Sequence, residues 1–236
     1  MKSLLRLFFR LLYHEFAFTY DLVAAAVSFN RWQDWVMSVV PFIEGYRVLE
    51  IGHGPGHLQR ILLSRGLSPV GIDESAQMGR LAKRNLRHSA YSERRVADGS
   101  RSVSSTLSDY TQVNLTRGLA QQLPFPDEWF NTIVATFPAE YIFDPSTLAE
   151  AQRTLAPGGR FVILPGAIFT GRGLPDRFLA WIFRITRQTP PNLSEILHER
   201  SREPFATAGF DLKIYEISVK SSVVFILLAV KRAGLD

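Results

Sequence analysis

Residues 48–58 read VLEIGHGPGHL, and the reading of the fold turns on them. An apolar run holding one carboxylate, Glu50, gives way to three glycines at alternate positions, Gly52, Gly54 and Gly56. A strand feeding through a glycine loop into a helix is the unit of a parallel α/β sheet. Glycine lets the backbone turn sharply and approach a ligand with no Cβ in the way. The loop is therefore either a tight strand-to-helix turn or a cradle for a nucleotide-like cofactor.

The neighbouring sequence continues the alternation. Residues 57–65 (HLQRILLSR) have helical spacing and stop at Gly66. Residues 69–72 are a second short apolar run closed by Asp73, and residues 76–86 make a charged amphipathic helix. Strand, helix, strand, helix predicts a parallel sheet covered on both faces. Further on, residues 132–137 read as a strand and 145–155 as a helix stopped by Pro157-Gly158-Gly159, with 160–164 as the next strand. Residues 212–219 and 222–231 are joined so closely, through Lys220-Ser221, that they must pair antiparallel as a hairpin. Residues 1–43 read as helical, with a break near 28–30 and a stop at Pro41. Residues 88–116 lose aliphatic periodicity and are rich in Ser, Arg, Asp and Gly, so they read as an inserted flexible loop. Residues 176–186 (DRFLAWIFRIT) form an apolar helix, either buried or lining a substrate pocket, and 190–208 carry another.

With 236 residues, 46% hydrophobic and 21% charged, the chain suits one large domain, or a domain with an appendage. A net charge of +5 is too mild to imply nucleic acid without clustering, and none is expected as a partner. The absence of cysteine excludes disulfides, thiolate metal sites and cysteine nucleophiles, and fits a cytoplasmic location. No run approaches the roughly 18 apolar residues that a membrane span needs. In residues 1–16, Lys2, Arg6, Arg10 and His14 recur every fourth position among Leu and Phe, giving a basic stripe beside a broad apolar face. Arg6 and Arg10 interrupt what would otherwise resemble a secretory signal. Two readings stand: a helix packed on its own domain or a partner, and a helix lying in the inner face of a membrane.

Spacing narrows the cofactor. A dinucleotide fingerprint places its last glycine three residues after the second, whereas here position 57 is His. A phosphate loop of the G-x-x-x-x-G-K-S/T type is also absent. Glu50 before the glycines would repel a pyrophosphate but suits a ligand with a positive amino group. Asp73, one strand–helix–strand unit later, could accept both hydroxyls of a ribose. His53 reads as a loop residue near the cofactor and His57 as a helix-start residue.

VLEIGHGPG followed by GIDES resembles the first two motifs of the class I S-adenosylmethionine-dependent methyltransferases. LPFPDEWFNTIVAT resembles the stretch entering that family's fourth strand, and RTLAPGGRFVIL its L-x-P-G-G strand-five motif. The nearest flavour is the small-molecule branch that includes quinone-biosynthesis C-methyltransferases. The resemblance implies a three-layer, doubly wound Rossmann-like sheet of seven strands in the order 3-2-1-4-5-7-6, parallel except for the C-terminal hairpin. It implies an N-terminal helical lid over residues 1–43 and a methyltransferase domain over 44–236 with a helical cap at about 170–208, whereas the inserted loop at about 88–116 departs from the family. S-adenosyl-L-methionine is the implied cofactor. Glu50 would anchor the network at its methionine end, and Gly52, His53, Gly54 and Gly56 would pass beneath methionine and ribose. Asp73 would hold the ribose, with Glu74 beside it and Met78 on the adenine. Gln121 follows the segment at the adenine edge, Thr136 and Phe137 end strand four, and Tyr20 and Arg31 would close the lid. RGLAQ departs from the family: Leu119 stands where an acidic residue usually accepts the adenine amino group, leaving Leu119 and Ala120 to offer shape and backbone.

Methyl transfer needs positioning more than functional groups, and a general base only where the acceptor holds a proton. Base candidates are His14, Tyr20, Glu140 and Tyr141. ATFPAEY lacks the Asn/Asp-Pro-Pro-Tyr/Phe signature of amide and adenine methylation, and no cluster has metal-ligand spacing. The expected function is methylation of a small lipophilic molecule. The alternative is a non-catalytic binding module on the same fold, favoured by Leu119 and the insertion.

Overall fold

Val48 and Leu49 are both fully buried, on opposite faces of one strand, which is why this stretch shows no polar–apolar alternation. In the computed structural model, which describes residues 32–97, 114–170 and 193–232, that strand, β1 (Arg47–Ile51), lies inside a seven-stranded sheet. It pairs in parallel with β2 (Ser68–Asp73) on one side and β4 (Phe130–Thr136) on the other. β3 (Asn114–Arg117) forms the edge beyond β2, and β5 (Leu155–Phe169) lies beyond β4. β6 (Phe210–Val219) and β7 (Ser222–Lys231) make the antiparallel hairpin, with β7 against β5. The order β3-β2-β1-β4-β5-β7-β6 is the one the resemblance implied.

Five helices are described: α1 (Trp32–Met37), α2 (His57–Ser64), α3 (Ala76–Ala97), α4 (Pro145–Thr154) and α5 (Leu193–Thr207). In α2, Leu58 and Leu62 stand one turn apart and are buried with Val48 and Val134. α4 starts where Asp144 accepts the Ser146 N–H at 2.8 Å and Pro145 occupies the first turn. On the opposite face of the sheet Leu49, Ile133 and Phe161 pack with Leu148 of α4 and Phe205 of α5. The β5–β7 register shifts between Ile163 and Gly166, at Pro165, which has no N–H to give the ladder.

Three boundaries differ from expectation. α3 continues to Ala97, ten residues into the presumed loop, because HSAYSERRVA holds no glycine or proline, the residues that disfavour a helix interior most. β5 begins pairing at Leu155, before the Pro-Gly-Gly stretch. Pro41 lies within a short 3-10 turn, Val40–Phe42, rather than simply ending a helix. Residues 1–31, which include the amphipathic segment, His14, Tyr20 and Arg31, lie outside the described residues, as do 98–113 and the apolar helix expected at 176–186. Among the described residues no helix is long and apolar enough to cross a membrane.

Candidate active site

The carboxyl ends of β1, β2 and β4 open into a cavity of about 720 Å³, the size of a small-molecule site. This is where a parallel sheet whose strand order reverses beside β1 offers its loops to a ligand.

Glu50 stands at the end of β1 on the cavity wall and is 1% exposed. Its Oε2 accepts the Gln59 side-chain N–H at 2.8 Å, from the inward face of α2. Burial pushes this carboxyl up to about 8; the Gln59 hydrogen bond pulls it down, and the nearby Asp73 charge adds to the rise. Gln59 was not singled out in the sequence. Its signal was its place between Leu58 and Leu62 on a buried stripe.

The glycine loop then turns back over β2. The Gly52 N–H donates to the Ile72 carbonyl at 2.8 Å, with φ at +71°. A Cβ on Gly52 would stand 2.8 Å from the Tyr141 hydroxyl, so the strand end requires glycine. A Cβ on Gly54 would meet nothing within 4 Å. Gly56, at φ +86°, packs against Ala82 of α3 at the start of α2.

His53 is 3% exposed. Its Nδ1 lies 2.8 Å from the Gly54 carbonyl, which places the ring proton on Nδ1 and leaves Nε2 bare and buried without a partner. Burial lowers the imidazole's proton affinity, against the opposing pull of Asp73, so the ring is neutral. It lies over Gly71, where a Cβ would come within 2.9 Å of the His53 Cδ2.

Asp73 ends β2. Its Oδ2 accepts the Gly54 N–H at 2.9 Å and its Oδ1 accepts the Ser75 N–H at 2.8 Å. Two backbone donors fix the plane of the carboxylate while each oxygen keeps accepting capacity toward the cavity. Glu74 follows at the rim, and its carbonyl accepts from the Arg117 Nε at 2.9 Å. Met78, Leu119, Ala120 and Gln121 line the same end of the cavity wall. Leu119 is 46% exposed, an apolar side chain at the rim, while Ala120 is buried.

The other end is aromatic. Thr136 and Phe137 finish β4 on the cavity wall. Phe137 has φ +50°, a conformation unusual for a bulky residue, and its N–H donates to the Leu164 carbonyl at 2.7 Å. Its ring stacks on Trp32 with centroids 4.0 Å apart. Trp32 and Val36 of α1 line the cavity too; Trp32 directly follows Arg31, the residue the resemblance singles out for the lid.

Of the base candidates, Tyr141 lines the cavity. Burial, then the charges of Asp73 and Glu50, push its hydroxyl up to about 12, so it keeps its proton and acts as a hydrogen-bond donor. Glu140 does not belong to the wall: it is exposed in the first turn of a 3-10 helix, where adjacent side chains point about 120° apart. His14, Tyr20 and Arg31 are outside the described residues. Among the described residues no group of three carboxylates or histidines could hold a metal ion.

Residues 49–163 match the family model described as a methyltransferase domain. A demethylmenaquinone methyltransferase of Symbiobacterium thermophilum is 28% identical over 163 residues, covering 66% of this chain and 57% of that one. A ubiquinone/menaquinone biosynthesis C-methyltransferase of Geotalea daltonii is 28% identical over 152 residues, covering 61% of this chain and 57% of that one. The chain therefore spans a little over half the length of these curated relatives. A solved structure from Methanococcus maripaludis, assigned as an S-adenosyl-L-methionine-dependent methyltransferase, shares the fold with a TM-score of 0.63 at 19% identity, over 93% of each chain.

Proposed function

Since the chain belongs to the class I S-adenosylmethionine-dependent methyltransferases, we propose that it binds S-adenosyl-L-methionine in this cavity and methylates a small lipophilic acceptor. The observation that carries the reading is Asp73, held by two backbone N–H groups in the same cavity as a buried Glu50. That pair suits an amino acid joined to a nucleoside: Asp73 can accept a diol, and a positive amino group would favour the ionised form of Glu50. The open space at Gly54 gives a ligand room to approach the backbone beside Asp73.

When bound, the cofactor supplies an activated methyl sulfonium. The chain supplies position. Asp73 accepts the ribose hydroxyls, and Glu50, once ionised, balances the positive amino group. Gly52, Gly54 and Gly56 shape the loop beneath, with His53 holding the Gly54 carbonyl. Met78 and Leu119 flank the adenine, Ala120 and Gln121 bound its edge, and Glu74 lies at the rim. Tyr141 donates from its protonated hydroxyl. Tyr20 and Arg31 keep the lid role that the resemblance gives them.

Thr136 and Phe137 mark the acceptor side, where the Trp32–Phe137 stack offers a flat apolar surface for a ring. The relatives are named for demethylmenaquinone and for ubiquinone and menaquinone biosynthesis, which supports a quinone-like ring as the acceptor. The non-catalytic alternative is weaker, because the relatives are named as methyltransferases. Calorimetry with S-adenosylhomocysteine and NAD as separate titrants tests the reading. Binding of the first and not the second is expected; a folded protein that binds neither, or prefers NAD, refutes it.

A further inference from the structure

α2 and α3 cover the same side of the β1–β2–β3 half of the sheet, as two successive right-handed crossovers must. They pack directly: Gly56 lies against Ala82, and the Asn85 side chain donates to the Pro55 carbonyl at 3.0 Å. The outer surface of this pair carries Arg60, Arg65, Arg80, Lys83, Arg84 and Arg87, all exposed. The last four follow i, i+3, i+4, i+7 spacing, a single stripe along α3 opposite the buried Ala82 and Leu86.

No Asp or Glu occurs in residues 57–72 or 75–87. None of the six cations makes an ion pair with a described residue. Of the ten cations with described side chains on the other elements, five are ion-paired: Arg153 with Asp127 and Glu150, Arg160 with Glu44, Lys220 with Asp34, Lys231 with Glu128, Arg232 with Asp211. A stripe of like charges repels itself along the helix, and an anionic surface relieves that repulsion.

Nucleic acid suits the face poorly. Among the side chains whose exposure is described, the large apolar ones at the surface are Met37, Tyr46, Leu119, Trp129 and Tyr215, and none stands on α2 or on α3 as far as Arg87 to stack on a single-stranded base. The first turn of α3 does line the cavity, through Met78, and exposed Leu119 marks its rim. We infer that the α2–α3 face docks on anionic lipid headgroups and brings the cavity to a membrane surface. The choice of lipid rests on the lipophilic-acceptor reading above.

The test is co-sedimentation of the full chain with phosphatidylcholine vesicles, with and without phosphatidylglycerol, at two salt concentrations. Binding only to the anionic vesicles, weakened by salt, is expected. Replacing Arg80, Lys83, Arg84 and Arg87 by Gln should lower the partition at least about tenfold. Replacing Arg200, Arg202 and Lys213, exposed cations on other elements, should leave it unchanged. Circular dichroism confirms that each variant is folded. Absence of binding by the full chain, retention by the fourfold variant, or an equal loss in the control variant overturns the inference. So does tighter binding of duplex DNA or RNA through the same four residues. Calorimetry with S-adenosylhomocysteine in the absence of lipid separates the two claims. A protein that binds vesicles but not this ligand sinks the functional reading and leaves the docking face standing.

Discussion

The raised proton affinity of Glu50 makes cofactor binding a proton-releasing step. With its carboxyl near 8 in the ligand-free protein, only about one-tenth of the molecules carry a charged Glu50 at pH 7. A ligand bearing a positive amino group selects that minority, so binding must ionise Glu50 at a cost of about 1.4 kcal/mol at pH 7. Affinity for S-adenosylhomocysteine should therefore rise close to tenfold from pH 6 to pH 7, then flatten above pH 8. About one proton should leave per ligand bound at pH 7, which calorimetry reads as a dependence of the heat on buffer ionisation enthalpy. Glu50→Gln should abolish both the pH dependence and the proton release. A flat affinity profile for the wild type, or a binding heat indifferent to buffer, would refute the reasoning.

The same group acts on stability with a definite sign. The folded value lies above the ordinary carboxylate value of 4.5, so the folded state holds the proton more tightly and stability falls as pH rises from about 4.5 to 8. Between pH 5 and pH 7 the loss from this one group is about 2.5 kcal/mol. Glu50→Gln keeps a hydrogen-bonding partner for Gln59 and removes that slope, so its stability gain over the wild type should grow with pH. Denaturant unfolding of the two proteins at several pH values measures it.

Three other substitutions probe the loop and its support. Asp73→Asn leaves a single acceptor oxygen for the two N–H groups of Gly54 and Ser75 and removes the charge offered to a diol; calorimetry should show affinity for S-adenosylhomocysteine falling by about 10- to 100-fold. Gly71→Ala would place a methyl 2.6 Å from Leu115 Cδ2 and 2.9 Å from the His53 ring, so urea unfolding should show a loss of about 1–3 kcal/mol, only partly recovered by adding Leu115→Val because the imidazole remains in the way. Arg153 holds Glu150, Asp127 and the carbonyls of Leu123 and Phe125, while Glu150 accepts the Leu123 N–H. Arg153→Lys, which cannot fork, should cost about 2 kcal/mol and speed hydrogen exchange at Leu123, beside the rim.

What was legible in the sequence was what local chemistry dictates. VLEIGHGPG gave the turn because strand burial on two faces and glycines at alternate positions leave few alternatives, and Asp73 followed from the length of one crossover. Glu50's partner was not legible, since helical spacing says that Gln59 faces inward but not what it meets there. Tyr141 and Glu140 could not be separated, because only the phase of a one-turn helix decides which faces the cavity. The extent of α3 was missed for a compositional reason: Ser and Arg in residues 88–97 resemble a loop, yet a helix tolerates both. Phe137's left-handed backbone had no sequence signal, as it is imposed by a neighbouring strand's carbonyl and an aromatic stack.

His53 ties these levels together. At a loop position flanked by glycines a small side chain would meet no obstacle, whereas an imidazole needs the missing side chain of Gly71 on the next strand. Once seated, it holds the Gly54 carbonyl, and the same residue's N–H holds Asp73. The ring and Glu50 respond to pH in opposite senses. Burial lowers the imidazole's proton affinity, so its contribution to stability is present above about 6.5 and is lost as acid charges it; that of Glu50 is lost as base charges it. Near neutrality the ligand-free loop is thus held with both buried groups uncharged. A cationic ligand reverses only one of them, Glu50, because charging His53 would add a second positive charge where the ligand already brings its own.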